Sequence, residues 1–145
     1  GENHSCGVTT LGDLKCWGNN GSGQFGNNGT TSSNSPVTIP GGSNYAKVAA
    51  SLNATCVIMS NPVGELRCAG NWTTGLAGGI DTNWDAFQTV DSGTTYTDIR
   101  AGRYSICAKD SANRVRCWGN NYYNTFGSTQ NIWFPDAVPQ PGFRQ

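Results

Sequence analysis

Hydrophobic and polar residues alternate along short stretches of this chain. Leu14-Lys15-Cys16-Trp17 and Val115-Arg116-Cys117-Trp118 are the plainest examples. A period of two sends successive side chains to opposite faces of a strand. Leu14 and Cys16 then share one face, and Lys15 and Trp17 the other. The runs are short, rich in β-branched and aromatic residues, and bounded by Gly, Asn and Pro clusters; none has a helical period. In the first fifty residues the pattern predicts strands near Cys6–Thr10, Leu14–Gly18, Val37–Ile39 and Ala46–Ala50. The expected class is all-β.

The same pattern recurs. Gly1-Glu2-Asn3-His4-Ser5-Cys6 falls on Ser51-Leu52-Asn53-Ala54-Thr55-Cys56 and on Gly102-Arg103-Tyr104-Ser105-Ile106-Cys107, at offsets of 50 and 51. Lys15-Cys16-Trp17-Gly18 likewise meets Arg67-Cys68-Ala69-Gly70 and Arg116-Cys117-Trp118-Gly119. Tyr45-Ala46-Lys47-Val48-Ala49-Ala50 meets Tyr96-Thr97-Asp98-Ile99-Arg100-Ala101. A period near fifty residues indicates a solenoid, propeller or array. The chain reads as one array with repeats at 1–50, 51–101 and 102–145. Each holds four short antiparallel strands, like a blade. The third repeat stops at Gln145 before its final strand, so a head-to-tail neighbour is expected to complete a blade by strand addition.

Cysteine spacing adds a constraint. The six Cys, at 6, 16, 56, 68, 107 and 117, form pairs 10, 12 and 10 positions apart, each flanking a turn signal. This regularity favours Cys6–Cys16, Cys56–Cys68 and Cys107–Cys117 disulfides across paired strands. Each would contribute roughly 2–3 kcal/mol in the chain-entropy picture. Free buried thiols and a metal site are the competing readings; the close C-x2-4-C spacing of zinc sites is absent. Disulfides imply an oxidising compartment, hence an extracellular or cell-surface location. Five sequons, at Asn3, Asn20, Asn28, Asn53 and Asn71, are possible glycosylation sites.

These residues resemble the RCC1 (regulator of chromosome condensation) repeat family. Its pattern runs approximately Val-Ala-Ala-Gly-x-x-His-Thr-Cys-Ala-Leu, a turn, then Cys-Trp-Gly-x-Asn-x-x-Gly-Gln-Leu-Gly and Thr-Pro-Val. The chain carries His4-Ser5-Cys6, Cys16-Trp17-Gly18-Asn19-Asn20, Gly23-Gln24-Phe25-Gly26 and Ser35-Pro36-Val37. The second repeat departs from it, with Ala69 in the Trp place; the third has Asn124-Thr125-Phe126-Gly127 in place of Gly-Gln-Leu-Gly. The resemblance implies β-propeller blades, typically seven to a ring, and here a partial or open propeller. The paired Cys look like those of extracellular bacterial and receptor-ectodomain members. The nuclear founding member is an exchange factor for a small GTPase and binds chromatin. Other members use the propeller as a binding platform, and one secreted type inhibits β-lactamases.

Charge and chemistry narrow the choice. Nine Lys+Arg balance nine Asp+Glu, and charged residues make up only 12% of the chain, about half the usual share. No basic excess exists to displace counterions from a nucleic acid. No apolar run reaches the roughly 18 residues of a membrane span. Neutral charge and disulfides argue against both roles of the nuclear founder. No catalytic motif is present, and the nine acids are scattered, mostly in turns. Asp81-Thr82-Asn83-Trp84-Asp85 opens like a calcium loop, but Ala86 replaces its glycine and Ser92 its bidentate acid. His4, the one histidine, stands in a slot filled by Ala54 and Ser105, which gives it a structural role. Trp17 and Trp118 are repeat-equivalent and are expected to pack between blades. Trp72, Trp84, Tyr122, Tyr123 and Trp133 are not repeat-equivalent. They are the candidate contact surface, in loops where binding residues concentrate. The sequence therefore predicts a non-catalytic contact protein without cofactor or metal. Its expected partners are protein, including its own kind or neighbouring repeats. A self-assembling filament or surface appendage and a carbohydrate-binding module are the alternatives.

Overall fold

The computed structural model describes residues 1–71 and 83–120 in full and residues 132–137 by their backbone. Eleven strands are seen among them: β1 (His4–Val8), β2 (Leu14–Gly18), β3 (Ser33–Thr38), β4 (Tyr45–Ala50), β5 (Ala54–Met59), β6 (Leu66–Gly70), β7 (Trp84–Asp91), β8 (Tyr96–Ala101), β9 (Ser105–Asp110), β10 (Val115–Gly119) and β11 (Ile132–Ala137). They form three antiparallel meanders in the orders β1-β2-β3, β4-β5-β6-β7 and β11-β10-β9-β8.

The sheets are out of phase with the sequence repeats. Tyr45–Ala50 was expected to close the first unit; it instead opens the second sheet by pairing with β5. Local connectivity explains the difference. Only Ser51-Leu52-Asn53 separates β4 from β5, and the Ser51 N–H donates to the Ala54 carbonyl at 2.9 Å, closing a tight hairpin. Between β3 and β4 the chain runs through Pro40-Gly41-Gly42, with φ of 136° and 65° at the two glycines. The Gly102 N–H repeats the hairpin bond, to Ser105, at 2.8 Å before β9. The three-stranded sheet is accordingly the first and not the third, which has four strands. Among the described residues β1 pairs with β2 alone.

Cysteines meet as the spacing predicted. Cys6 faces Cys16, Cys56 faces Cys68 and Cys107 faces Cys117 in register. All three pairs are disulfide-bonded with Cα atoms 4.1 Å apart. That separation belongs to the closer, non-hydrogen-bonded pair of an antiparallel ladder. Just beyond each second Cys, a glycine ends the strand with a positive φ: 99° at Gly18, 113° at Gly70 and 114° at Gly119. A Cβ at Gly70 would stand 2.2 Å from the Asn53 carbonyl oxygen, so the glycine of this recurring Cys-x-Gly is sterically required there.

Each disulfide face packs on the next sheet. Val8, Leu14, Cys16 and Val37 of the first sheet enclose a core with Tyr45, Val57, Met59 and Phe87 of the second. Ala54, Cys56, Ile58, Leu66 and Cys68 of the second enclose another with Tyr96, Ile99, Ile106, Ala108 and Trp118 of the third. Caught between both cores, β5 is buried at all six positions. Trp118 is fully buried, as expected, whereas Trp17 in the same slot is 37% exposed because no described sheet covers its face. Asp110 closes the β9–β10 hairpin. Its carboxylate accepts from the Ala112 and Arg114 N–H groups at 2.9 Å and from the Arg114 guanidinium at 2.8 Å.

Two outcomes follow from this packing. Trp118→Ala is expected to cost about 3–5 kcal/mol in chemical denaturation, and Trp17→Ala less than about 1 kcal/mol. Mild reductant followed by alkylation and peptide mapping should label Cys6 and Cys107, the half-buried partners, well before the sealed Cys56–Cys68 pair. Equal labelling of all three pairs would contradict the burial order.

Candidate functional site

Among the described residues, the hairpin tips carry the most exposed large apolar side chains. Leu11, between β1 and β2, is 76% exposed, and Val63, between β5 and β6, is 78% exposed. Both sit in turns that the sequence marks by Gly12-Asp13 and Pro62, and an apolar residue inside a polar turn is the sequence signal for such a site. Beside Val63 lies a cleft of about 370 Å³, floored by Glu65, Thr89 and Asp91 and walled by Ser92–Thr95 and Pro62.

The cleft's carboxylates are already engaged. Glu65 accepts from the Arg67 guanidinium at 2.9 Å and from the Thr89 hydroxyl. The Arg67 bond holds its pKa below the usual range. Burial works to raise the Asp91 pKa, but hydrogen bonds from the Tyr96 hydroxyl at 2.7 Å and the Gly93 N–H at 3.0 Å outweigh it. Burial and Asp91 together raise the Tyr96 pKa. Two ionised carboxylates and an un-ionised phenol make acceptors and a fixed donor. Neither acid is poised to donate a proton near neutral pH, so this pair lacks the asymmetry of a general acid and base.

A second recess of about 290 Å³ lies beside the β4–β5 and β8–β9 turns, lined by Glu2, Ala50, Ser51, Ala101, Gly102 and Arg103. Arg103 pairs with Glu2 at 2.7 Å and lies over the Tyr104 ring at 4.9 Å. Between the edge strands β4 and β8, Lys47 meets Asp98 at 2.9 Å, and Arg100 shares that carboxylate at 2.8 Å. These exposed pairs contribute little to stability individually. Among the described residues no group of three His, Cys, Asp or Glu could hold a metal ion.

Of the expected contact aromatics, Trp84 alone has a described side chain. Trp84 lies on β7 opposite Gly70 and packs partly buried against the core between the second and third sheets. It therefore supports the fold rather than a loop surface, because the glycine across the ladder leaves room for the indole. Trp72, Tyr122 and Tyr123 lie outside the described residues, and Trp133 is placed only as a position on β11. Among the sequons, Asn3 and Asn28 are exposed, and Asn53 and Asn71 are half-buried. Asn20 is fully buried. Its amide nitrogen donates to the Gly29 carbonyl at 2.9 Å and its oxygen accepts from the Phe25 N–H at 2.8 Å. Asn20 is thus a loop-closing residue and no glycan acceptor in the folded chain.

His4 joins the first two sheets. It is 3% exposed, and its Nε2 stands 2.8 Å from the Thr55 hydroxyl across the interface. Nδ1 is buried without a hydrogen-bond partner. Burial pushes the imidazole pKa from 6.5 down to about 4. The folded state therefore prefers neutral His4, while the unfolded chain takes a proton below pH 6.5. Stability from this group is complete above that value and declines as pH falls toward 4, by at most about 3 kcal/mol. Denaturation midpoints measured from pH 7.5 to 4.5 should show this decline, and His4→Gln should flatten it.

The fold and motifs have counterparts among known proteins. Residues 1–24 and 96–125 match the family model described as Regulator of chromosome condensation (RCC1) repeat. No curated protein sequence matches the chain. Yeast RCC1 (Prp20), solved bound to Kap60, superposes with a TM-score of 0.81 at 18% identity. The match covers 97% of this chain and 36% of that one. Human WBSCR16 gives 0.80 at 19% identity, over 96% and 36%. The ectodomain of the receptor kinase CR4 from Physcomitrella patens gives 0.53 at 21% identity, over 83% and 28%. The chain thus spans about a third of the length of the solved structures it matches. With the Cys-Trp-Gly hairpins at matching places in β2 and β10 and the sheets superposing on RCC1 propellers, the chain has the fold of RCC1-like β-propeller blades and carries RCC1-repeat matches at residues 1–24 and 96–125.

Proposed function

We propose that this chain is a non-catalytic, disulfide-stapled contact module that works outside the cell or on its surface by binding protein. The disulfides carry the reading. All six cysteines are paired, one bridge to each sheet, and none is free. Stable bridges at every repeat belong to an oxidising compartment. RCC1-like propellers are compatible with protein contacts: the yeast relative is solved bound to Kap60, and a second study of it concerns binding to Gsp1p and histones. The neutral charge of this chain does not favour a chromatin partner.

The hairpin-tip surface is the face offered. Leu11 and Val63 supply exposed apolar anchors, and the hydroxyl-lined cleft beside Val63 supplies fixed polar groups. Apolar anchors ringed by polar groups are the anatomy of a protein interface. N-linked glycans, where the source adds them, belong on Asn3 and Asn28.

Mass spectrometry of the native protein, isolated without reductant, is expected to find three intact bridges; six free thiols would overturn the compartment. A photo-crosslinker at Leu11 or Val63 should capture a defined protein partner in the native setting, and one at Ser35 on β3 should not. Indistinguishable capture from all three positions would overturn the contact face.

A further inference from the structure

Two Asn-Gly dipeptides, Asn20-Gly21 and Asn28-Gly29, lie in the loop between β2 and β3. A glycine after asparagine has no Cβ to shield its backbone nitrogen. That nitrogen can therefore reach the carbonyl carbon of the asparagine side chain. The two dipeptides are alike in sequence and opposite in surroundings.

Asn20 is fully buried. Its Nδ2 donates toward the Asn27 side-chain oxygen at 3.3 Å and the carbonyls of Gly29 at 2.9 Å and Thr31 at 3.3 Å. Its Oδ1 accepts from the Phe25 N–H at 2.8 Å. The Gly21 N–H, which would have to attack, already donates to the Asn19 side-chain oxygen at 2.7 Å. Asn28 is exposed. Its backbone N–H donates to the Asp85 carbonyl at 2.7 Å, and no described residue holds its side-chain amide.

We infer that Asn28 is a site of spontaneous deamidation, while the fold protects Asn20 in the same dipeptide. The Gly29 nitrogen bonds to Asn28 Cγ, the Cγ–Nδ2 bond breaks, and ammonia leaves with the proton of the Gly29 N–H. Water then opens the cyclic imide at either carbonyl and leaves aspartate or isoaspartate at position 28. No oxidant or cofactor is consumed.

The isoaspartate product acts through the Asn20 clamp. It adds a methylene carbon to the main chain just before Gly29, whose carbonyl holds the Asn20 amide. Asn20 in turn holds the backbone of Phe25, which is sealed in the core between the first and second sheets. Conversion loosens the 19–32 loop from within and leaves the ladders and bridges in place. It also ends the use of Asn28 as a sequon, because a carboxylate cannot take the glycan. The inference stands apart from the protein-contact reading, which rests on the bridges and the hairpin tips.

Ageing of the oxidised protein tests it. Protein from a bacterial periplasm, free of N-glycans, is held at mildly alkaline pH beside a reduced, urea-unfolded sample. Chymotryptic cleavage after Phe25 separates the two Asn-Gly pairs for mass spectrometry. Both should convert at similar rates in the unfolded sample. In the folded protein Asn28 should convert at least about tenfold faster than Asn20, whose amide is released only by local opening. Gly29→Ala should stop most of the Asn28 conversion without disturbing the fold, since a Cβ there meets only the Asn27 side-chain oxygen at 3.8 Å. Purified isoaspartate molecules should lose hydrogen-exchange protection at the Phe25 amide, and Asn28→Asp, which adds the charge without the extra carbon, should keep it. Equal conversion of Asn20 and Asn28 in the folded protein, or a stable Asn28 there while the unfolded chain converts, overturns the site. Unchanged Phe25 protection in the isoaspartate form overturns its action through the clamp.

Discussion

The directly opposed cysteine pair is the constraint on which this architecture depends. In an antiparallel ladder, a slip of one residue would send every side chain to the other face. A covalent bond between Cys6 and Cys16 forbids that slip, and so do its two counterparts. With register fixed, Leu14, Val37 and Cys16 must share a face, and that face has one apolar partner, the Tyr45, Val57 and Met59 side of the second sheet. A two-stranded hairpin is marginal alone, and further strands with a buried apolar face are needed for stability. Bridging within each sheet and stacking between sheets together make the array stable.

Much of this was legible from residues. Cysteine spacing, the turn between each pair and the alternation in Leu14-Lys15-Cys16-Trp17 lead to the hairpins and to the bridges. Tyr45–Ala50 was recognisable as a strand, but its partner was not. Periodicity says which way side chains point and nothing about which neighbour supplies the hydrogen bonds. That was decided by the three-residue turn at Ser51-Leu52-Asn53 and by the backbone reversal at Gly41 and Gly42. The exposure of Trp17 depends on what lies beyond its sheet and not on its own strand.

The proposed contact surface was less legible, for a related reason. Residue type marks Trp84 as a contact aromatic, yet it lies opposite Gly70 and packs partly buried against the core. Leu11 and Val63 sit within turn signals, where small polar residues set the expectation, yet both are exposed apolar side chains. Asn20 fits a glycosylation sequon and spends its amide on holding the Gly23-Gln24-Phe25-Gly26 loop. In each instance the side chain's use is set by atoms remote in sequence. The chemistry of Glu65 and Asp91 is likewise a property of their neighbours Arg67 and Tyr96.

The offset between repeat and sheet bears on how such chains can be shortened, lengthened or recombined. A cut after Ala50 follows the sequence repeat but strips β4 from the sheet that it opens. A cut between Ile39 and Tyr45 passes through an irregular connection and keeps the second sheet whole. The unit that can be copied or exchanged without breaking a ladder therefore runs from Tyr45 to Asp91, straddling the boundary of two sequence repeats. Insertions and duplications that survive selection should have their junctions in the glycine-rich connections, and a parsing of the gene by its repeats would place those junctions several residues too late.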